Sequence, residues 1–231
     1  MRHIAVAVDG PAGAGKSSVS KAVAKDLGLV YIDTGEMYRS VALFAINNGI
    51  DIKNNPQELI KKLDEIDISI KYDDNGQTGA DVQLIYLNGE DVTGKIRTPE
   101  VSVGASNVAV IKEVREKLVA MQQKMAESEN VIMDGRDICS HVLPNAEVKI
   151  FLTASVEARA QRRYKELIEK GETHDLEQIK RDIEYRDLND STRKESPLKR
   201  AEDAVLADTS DLTFDEAIDL LKRIISEKTG I

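Results

Sequence analysis

Ala5-Val6-Ala7-Val8-Asp9-Gly10-Pro11-Ala12-Gly13-Ala14-Gly15-Lys16-Ser17-Ser18 decides the fold. The apolar run at residues 3–8 reads as a short strand. Residues 16–27 carry Val19, Val23, Ala24 and Leu27 at helical spacing, so a helix follows the glycine-rich turn. Between them Gly10-x-x-x-x-Gly15-Lys16-Ser17 matches the P-loop pattern in full, in the strand–turn–helix setting that pattern requires. Each residue type has a physical reason. Glycines let successive N–H groups turn inward on phosphate oxygens, and the helix adds the partial positive charge of its N-terminus. Lys16 is expected on the β- and γ-phosphates, Ser17 on Mg²⁺, and Ser18 near the α-phosphate. Gly10, Pro11, Ala12, Gly13, Ala14, Gly15, Lys16, Ser17 and Ser18 are therefore the expected triphosphate cradle. Taken alone, the loop does not choose between a kinase, a GTPase and a motor.

Outward from the loop, strand-like runs at 29–32, 131–133, 148–152 and 204–207 alternate with helical stretches. One helix is expected over about 36–48, and the last opens at Thr213-Phe214-Asp215-Glu216, a capping-box pattern. The alternation predicts an α/β fold with a central parallel sheet of about five strands, helices on both faces. One stretch breaks the rhythm. Residues 66–72 and 82–87 read as strands, with a turn signal at Asp74-Asn75-Gly76, which predicts an antiparallel insertion. With its flanking helices the insertion is placed at about 34–127, leaving 1–33 and 128–231 as the core domain.

Composition narrows the classes. The 231 residues are 41% hydrophobic and 32% charged, an ordinary globular balance. A net charge of -9 argues against nucleic acid as the main partner. The five-residue run at 4–8 is too short to cross a membrane and lacks the pattern of a signal peptide. A single cysteine, Cys139, excludes an internal disulfide, and a cytoplasmic location is expected. Cys139 itself reads as a small buried residue, and His3, His141 and His174 have no metal-ligand spacing.

No Asn-Lys-x-Asp guanine-reading sequence occurs, which speaks against a GTPase. Arg159, Arg162 and Arg163 share one helix face at i, i+3 and i+4; they are either a phosphate-facing cluster or a solvated surface. Arg186, Asp190 and Arg193 also share a face, as a binding set or as an internal salt-bridge ladder. Guanidinium forks suit the charge neutralisation that phosphoryl transfer needs. Asp134-Gly135-Arg136-Asp137 follows an apolar strand, where Asp134 is expected to hold Mg²⁺ through water; a tight turn closed by Gly135 is the alternative.

With these residues assembled, the sequence resembles the bacterial cytidylate kinase family, in the long form with an insertion in its monophosphate-binding part. The likeness runs essentially end to end. It is carried by Asp9 to Lys16, by Asp33-Thr34-Gly35-Glu36-Met37-Tyr38-Arg39, and by Ile96-Arg97-Thr98-Pro99-Glu100-Val101. Val114-Arg115-Glu116, Asp134-Gly135-Arg136-Asp137, Val148-Lys149-Ile150-Phe151-Leu152, Arg186-Asp187 and Asp190-Ser191-Thr192-Arg193 complete it.

The resemblance implies a P-loop kinase fold, a helical lid within about 155–195 and a nucleoside-monophosphate-binding domain at 34–127. It implies ATP as donor with Mg²⁺, and CMP and dCMP as acceptors; a monomer is expected. Thr34, Arg115, Asp137 and Arg193 then surround cytosine, while Ser106, Arg186 and Asp190 approach the sugar. Tyr38, Arg39 and Arg136 lie at the acceptor phosphate, and Arg159 and Arg163 meet the ATP phosphates from the lid. Lys16, Arg136, Arg159, Arg163 and Arg186 are the expected catalytic set. Two departures stand out. After Asp137 the family continues Ile-Gly-Thr where this chain has Ile138-Cys139-Ser140, and Thr34 stands where serine is common. The rival expectations are a P-loop kinase for another monophosphate, such as UMP or AMP, and a nucleotide-binding module without turnover.

Overall fold

The computed structural model describes residues 3–73, 82–169, 171 and 173–230. In chain order the elements are β1 (Ala5–Asp9), α1 (Lys16–Leu27), β2 (Val30–Asp33), α2 (Thr34–Asn47), α3 (Pro56–Lys61), β3 (Ile68–Asp73), β4 (Val82–Leu87) and β5 (Glu90–Asp91). Then come α4 (Pro99–Val108), α5 (Lys112–Ser128), β6 (Val131–Gly135), β7 (Val148–Thr153), α6 (Val156–Glu169), α7 (Leu176–Thr192), β8 (Val205–Asp208) and α8 (Phe214–Thr229). Two compact units result: Met1–Ile32 with Ala126–Ile231, and Asp33–Met125.

The first unit is built on one five-stranded sheet in the order β2-β6-β1-β7-β8. β1 pairs in parallel with β6 on one side and β7 on the other, and β8 continues in parallel beyond β7. Successive connections thus leave β1 in opposite directions. The carboxyl end of β1 is a topological switch point, where open α/β sheets bind ligands. Val6, Val8, Ile132, Ile150 and Leu152 pack against Val19 and Val23 of α1 and Leu221, Ile224 and Ile225 of α8. Each such side chain contributes roughly 1.5–3 kcal/mol on burial, which fixes α1, and with it the loop, on the sheet. α6 and α7 carry a smaller core of their own, Ala160 and Leu167 against Ile179 and Ile183.

The second unit joins α2 to α4 with a three-stranded sheet, β3-β4-β5. β3 and β4 pair antiparallel from Ile68↔Leu87 to Asp73↔Val82, as the alternation predicts; the turn expected at Asp74-Asn75-Gly76 lies outside the described residues. Gly104 of α4 lies so close to α2 that a Cβ there would stand 3.0 Å from the Ala42 Cβ. Met37, Val41 and Phe44 form the core with Leu59, Ile85, Ile96, Val108 and Leu118.

Several boundaries differ from the sequence reading for local reasons. Leu29 belongs to the exit of α1, not to β2: Gly28 is left-handed and the Leu29 N–H bonds back to the Ala24 carbonyl. α2 starts two residues early because the Asp33 side chain caps the Glu36 N–H. β3 starts at Ile68 because Leu63–Glu65 forms a 3-10 turn whose last bond is made by Ile66. The capping box at Thr213 and Glu216 is present with both bonds.

Candidate active site

The loop after β1 is made by its glycines. A Cβ on Gly10 would stand 1.9 Å from the Leu152 carbonyl oxygen on β7, so no other residue fits there. Gly13 (φ 74°) and Gly15 (φ 89°) take left-handed backbone. Gly15 caps α1 and offers no side chain to the first-turn N–H groups, and the first turn holds no acid. That end of the helix carries its partial positive charge toward the loop. Lys16 is buried and donates from Nζ to the Gly10 and Pro11 carbonyls, both at 2.8 Å, so the ammonium sits within the cradle.

Asp134 stands beside the loop. β6 runs on through Gly135, so Asp134 is a strand residue and the tight-turn alternative does not form. Its carboxylate accepts from the Ser17 hydroxyl at 2.8 Å and from the Tyr31 hydroxyl at 3.0 Å. A hydroxyl and a carboxylate side by side are hard oxygen donors of the kind Mg²⁺ takes. Tyr31 was not legible as a site residue, since it lies 103 positions from its partner.

Asp137 opens a π-helical turn, Ile138–Val142, and the Val142 N–H reaches back to the Asp137 carbonyl. Asp9 holds this turn: Oδ1 accepts from the Ile138 N–H at 2.7 Å and Oδ2 from the Cys139 N–H at 2.9 Å. Burial raises the Asp9 carboxyl above its ordinary value, and these two bonds pull it back. Where the family pattern has glycine, Cys139 sits without positive φ, so the turn takes a side chain unstrained. Its sulfur donates weakly to the Ala7 and Ile150 carbonyls, and burial pushes the thiol well up.

The arginines separate by partner. Arg136 pairs with Asp190 of α7 at 2.8 Å, and Arg193 reaches Asp137 at 3.8 Å while donating to the Ser196 carbonyl. Asp190 of α7, and Arg193 just past its end, thus pair with residues outside that helix, and Arg186 is exposed on α7. Of the α6 trio, Arg159 is 4% exposed. It donates to the Ala12 and Ala154 carbonyls and grips Asp187 through two bonds of 3.0 and 2.6 Å. Arg162 bonds the Thr209 and Leu212 carbonyls. Arg163, paired with Glu166 in the same helix, is the exposed member of the trio. Asp187 is the acid that spacing alone could not assign.

The remaining expected residues lie in the other unit. Thr34 and Tyr38 stand one turn apart on α2, and the Arg115 guanidinium of α5 donates to the Tyr38 hydroxyl at 3.4 Å. Arg39 is half-buried on α2, and Ser106 is exposed on α4. Glu36, between Thr34 and Tyr38, is buried and bonds Arg97 and Gln83.

Sheet order, loop and Lys16 together define a P-loop nucleotide-binding protein. A solved structure of an uncharacterized protein from Eubacterium ventriosum superposes with a TM-score of 0.54 at 12% identity, covering 97% of this chain and 99% of that one, which supports the fold. The family model for cytidylate kinase matches residues 6–227. A cytidylate kinase from Caldicellulosiruptor saccharolyticus is 50% identical over 230 residues, covering 100% of this chain and 99% of its own. One from Bacillus cytotoxicus is 50% identical over 226 residues, covering 98% and 97%. The chain belongs to the cytidylate kinase family.

Proposed function

We propose that the chain transfers the γ-phosphoryl group of ATP directly to CMP or dCMP, giving ADP and CDP or dCDP. The observation that carries this is the uncapped, glycine-lined N-terminus of α1 with Lys16 drawn into it, in a member of the cytidylate kinase family. An oxygen of the acceptor phosphate attacks the γ-phosphorus, and the bond to the β-phosphate oxygen breaks to release ADP. The reaction needs no covalent enzyme intermediate and no dedicated base; alignment and charge stabilisation carry it. Lys16 and the loop N–H groups hold the donor phosphates. Ser17 and, through water, Asp134 would hold Mg²⁺, which supplies charge neutralisation on the donor phosphates when bound.

On the acceptor side, Tyr38, Arg39 and Arg136 take the monophosphate, and Ser106, Arg186 and Asp190 the sugar. Thr34, Arg115, Asp137 and Arg193 read the base. Cytosine offers an amine donor beside two acceptors, and a carboxylate with guanidinium groups complements that edge. Uracil turns an oxygen toward the carboxylate instead. The pairs Arg136–Asp190 and Arg193–Asp137 support this reading by holding charged groups ready in opposite-sign couples. Residues 34–127 act as the monophosphate-binding domain, and the α6–α7 pair, within about 155–195, as the lid that brings Arg159 and Arg163 to the donor phosphates. No helix among the described residues is long and apolar enough to cross a membrane; a cytoplasmic monomer acting on small nucleotides fits this reading.

The test is ADP release from Mg·ATP across CMP, dCMP, UMP, AMP and GMP. Turnover concentrated on CMP and dCMP is expected. A preference for another monophosphate would overturn the acceptor assignment, and absence of acceptor-dependent ADP would overturn the activity.

A further inference from the structure

The unit Asp33–Met125 buries a charge where an apolar side chain would pack. Glu36, in the first turn of α2, is 5% exposed. Its Oε1 accepts from Arg97 Nη2 at 2.9 Å, and its Oε2 from Gln83 Nε2 at 3.2 Å. Gln83 faces inward on β4, in register with Ile85 and Leu87, a position where alternation calls for a hydrophobic residue. Its Oε1 is buried and has no hydrogen-bond partner among the described residues. Arg97 lies in the 3-10 turn ahead of α4, with its side chain 62% exposed.

Stability does not account for this arrangement. A desolvated carboxylate paired with a largely exposed arginine, next to an orphaned amide oxygen, is worth less to the fold than three apolar contacts. What the arrangement does supply is direction. Three segments distant in sequence converge on one carboxylate, and that carboxylate sits two residues after Thr34, two before Tyr38 and three before Arg39. Burial and the nearby Asp33 charge disfavour an ionised Glu36, while the charges of Arg97 and Arg39 favour it.

We propose that Glu36 is a positioning residue for the acceptor nucleotide, clamping the first turn of α2 to β4 through Gln83 and to the turn ahead of α4 through Arg97. The proposal rests on the reading that Thr34, Tyr38 and Arg39 meet the acceptor. The three-stranded insertion thereby gains a role, with β4 as the wall against which the acceptor-binding turn is set.

The experiment is steady-state kinetics of the full chain with Mg·ATP and CMP, together with thermal unfolding, for wild type, Glu36→Met/Gln83→Leu and Glu36→Gln. In the double variant the melting temperature is expected to hold or rise, because apolar groups replace a desolvated polar set. Its CMP KM should rise about tenfold while kcat and the ATP KM stay within about twofold, since a misplaced binding turn weakens acceptor capture without touching the donor. Glu36→Gln, which keeps the shape, should raise the CMP KM about threefold, as the counter-charge for Arg97 and Arg39 is lost. An unchanged CMP KM in both variants would overturn the proposal. So would a fall of kcat and melting temperature with both KM terms raised alike, the mark of a merely structural group. If wild type itself fails to phosphorylate CMP, the acceptor reading falls first, and the two failures are told apart.

Discussion

Two buried carboxylates, one in each unit, are satisfied in opposite ways. Asp9 is completely buried and is answered by two backbone N–H groups of the π turn. Glu36 is nearly as buried and is answered by side chains, Gln83 and Arg97, each with several rotatable bonds. The first arrangement cannot change without moving the sheet; the second can be re-aimed by one rotamer. The contrast extends to the ligand sites. The expected donor cradle is made of main chain and glycine, whereas the expected acceptor contacts are side chains, two of them, Arg136 and Arg193, held in ion pairs with Asp190 and Asp137. A triphosphate is the same in every turnover, so a fixed backbone mould suits it. Discrimination among bases needs groups whose loss leaves a partner stranded.

The largest expected effect strikes the fixed side. Lys16→Ala should lower kcat by roughly 10³-fold for every acceptor alike, with CMP binding by calorimetry within about twofold of wild type. Acceptor-dependent losses would break the division between the two halves. Asp137→Ala should cut activity on CMP by about 10²-fold and on UMP by no more than a few-fold, measured as kcat/KM. Equal losses would remove Asp137 from base reading. Gly10→Ala forces a methyl group onto the Leu152 carbonyl and should destabilise the chain by about 3 kcal/mol, seen as a lower melting temperature. An unchanged melting temperature would show that the loop is not the rigid mould described.

The smallest effect is electrostatic. Burial lifts the Asp9 carboxyl above its ordinary 3.8, so the folded chain holds that proton more tightly than the unfolded one. Stability contributed through this group therefore falls as pH rises from about 4 through the raised value. Asp9→Asn lacks that slope. Equilibrium denaturation from about pH 4 to about pH 7 should show the wild type losing ground steadily relative to the variant. The opposite slope would mean that the two N–H bonds outweigh burial.

What the sequence discloses follows the same division. The loop, α1 and the strand pairing of β3 with β4 are contiguous or periodic patterns, and their residue types imply their geometry directly. The groups that sequence reading passes over are joined across long separations. Tyr31 meets Asp134 from 103 positions away, Asp9 meets Ile138 from 129, and Arg97 meets Glu36 from 61. Asp187 is nearer to Arg159, 28 positions on, but that pairing needs α6 and α7 to pack first. The two-residue β5 is too short to leave a periodic signal. Motif order nevertheless places the family without any of these contacts, because matching several separated motifs does not require knowing what each residue touches.

Cys139 carries a practical consequence. Its thiol is sealed under the π turn against two carbonyl oxygens, with its ionisation suppressed, and thiol chemistry requires an accessible thiolate. The chain has no second cysteine. A cysteine introduced at an exposed site on α7, such as Tyr185, would be the sole reactive thiol on the native protein. Spectroscopic labels can then be attached there with the natural sequence otherwise intact.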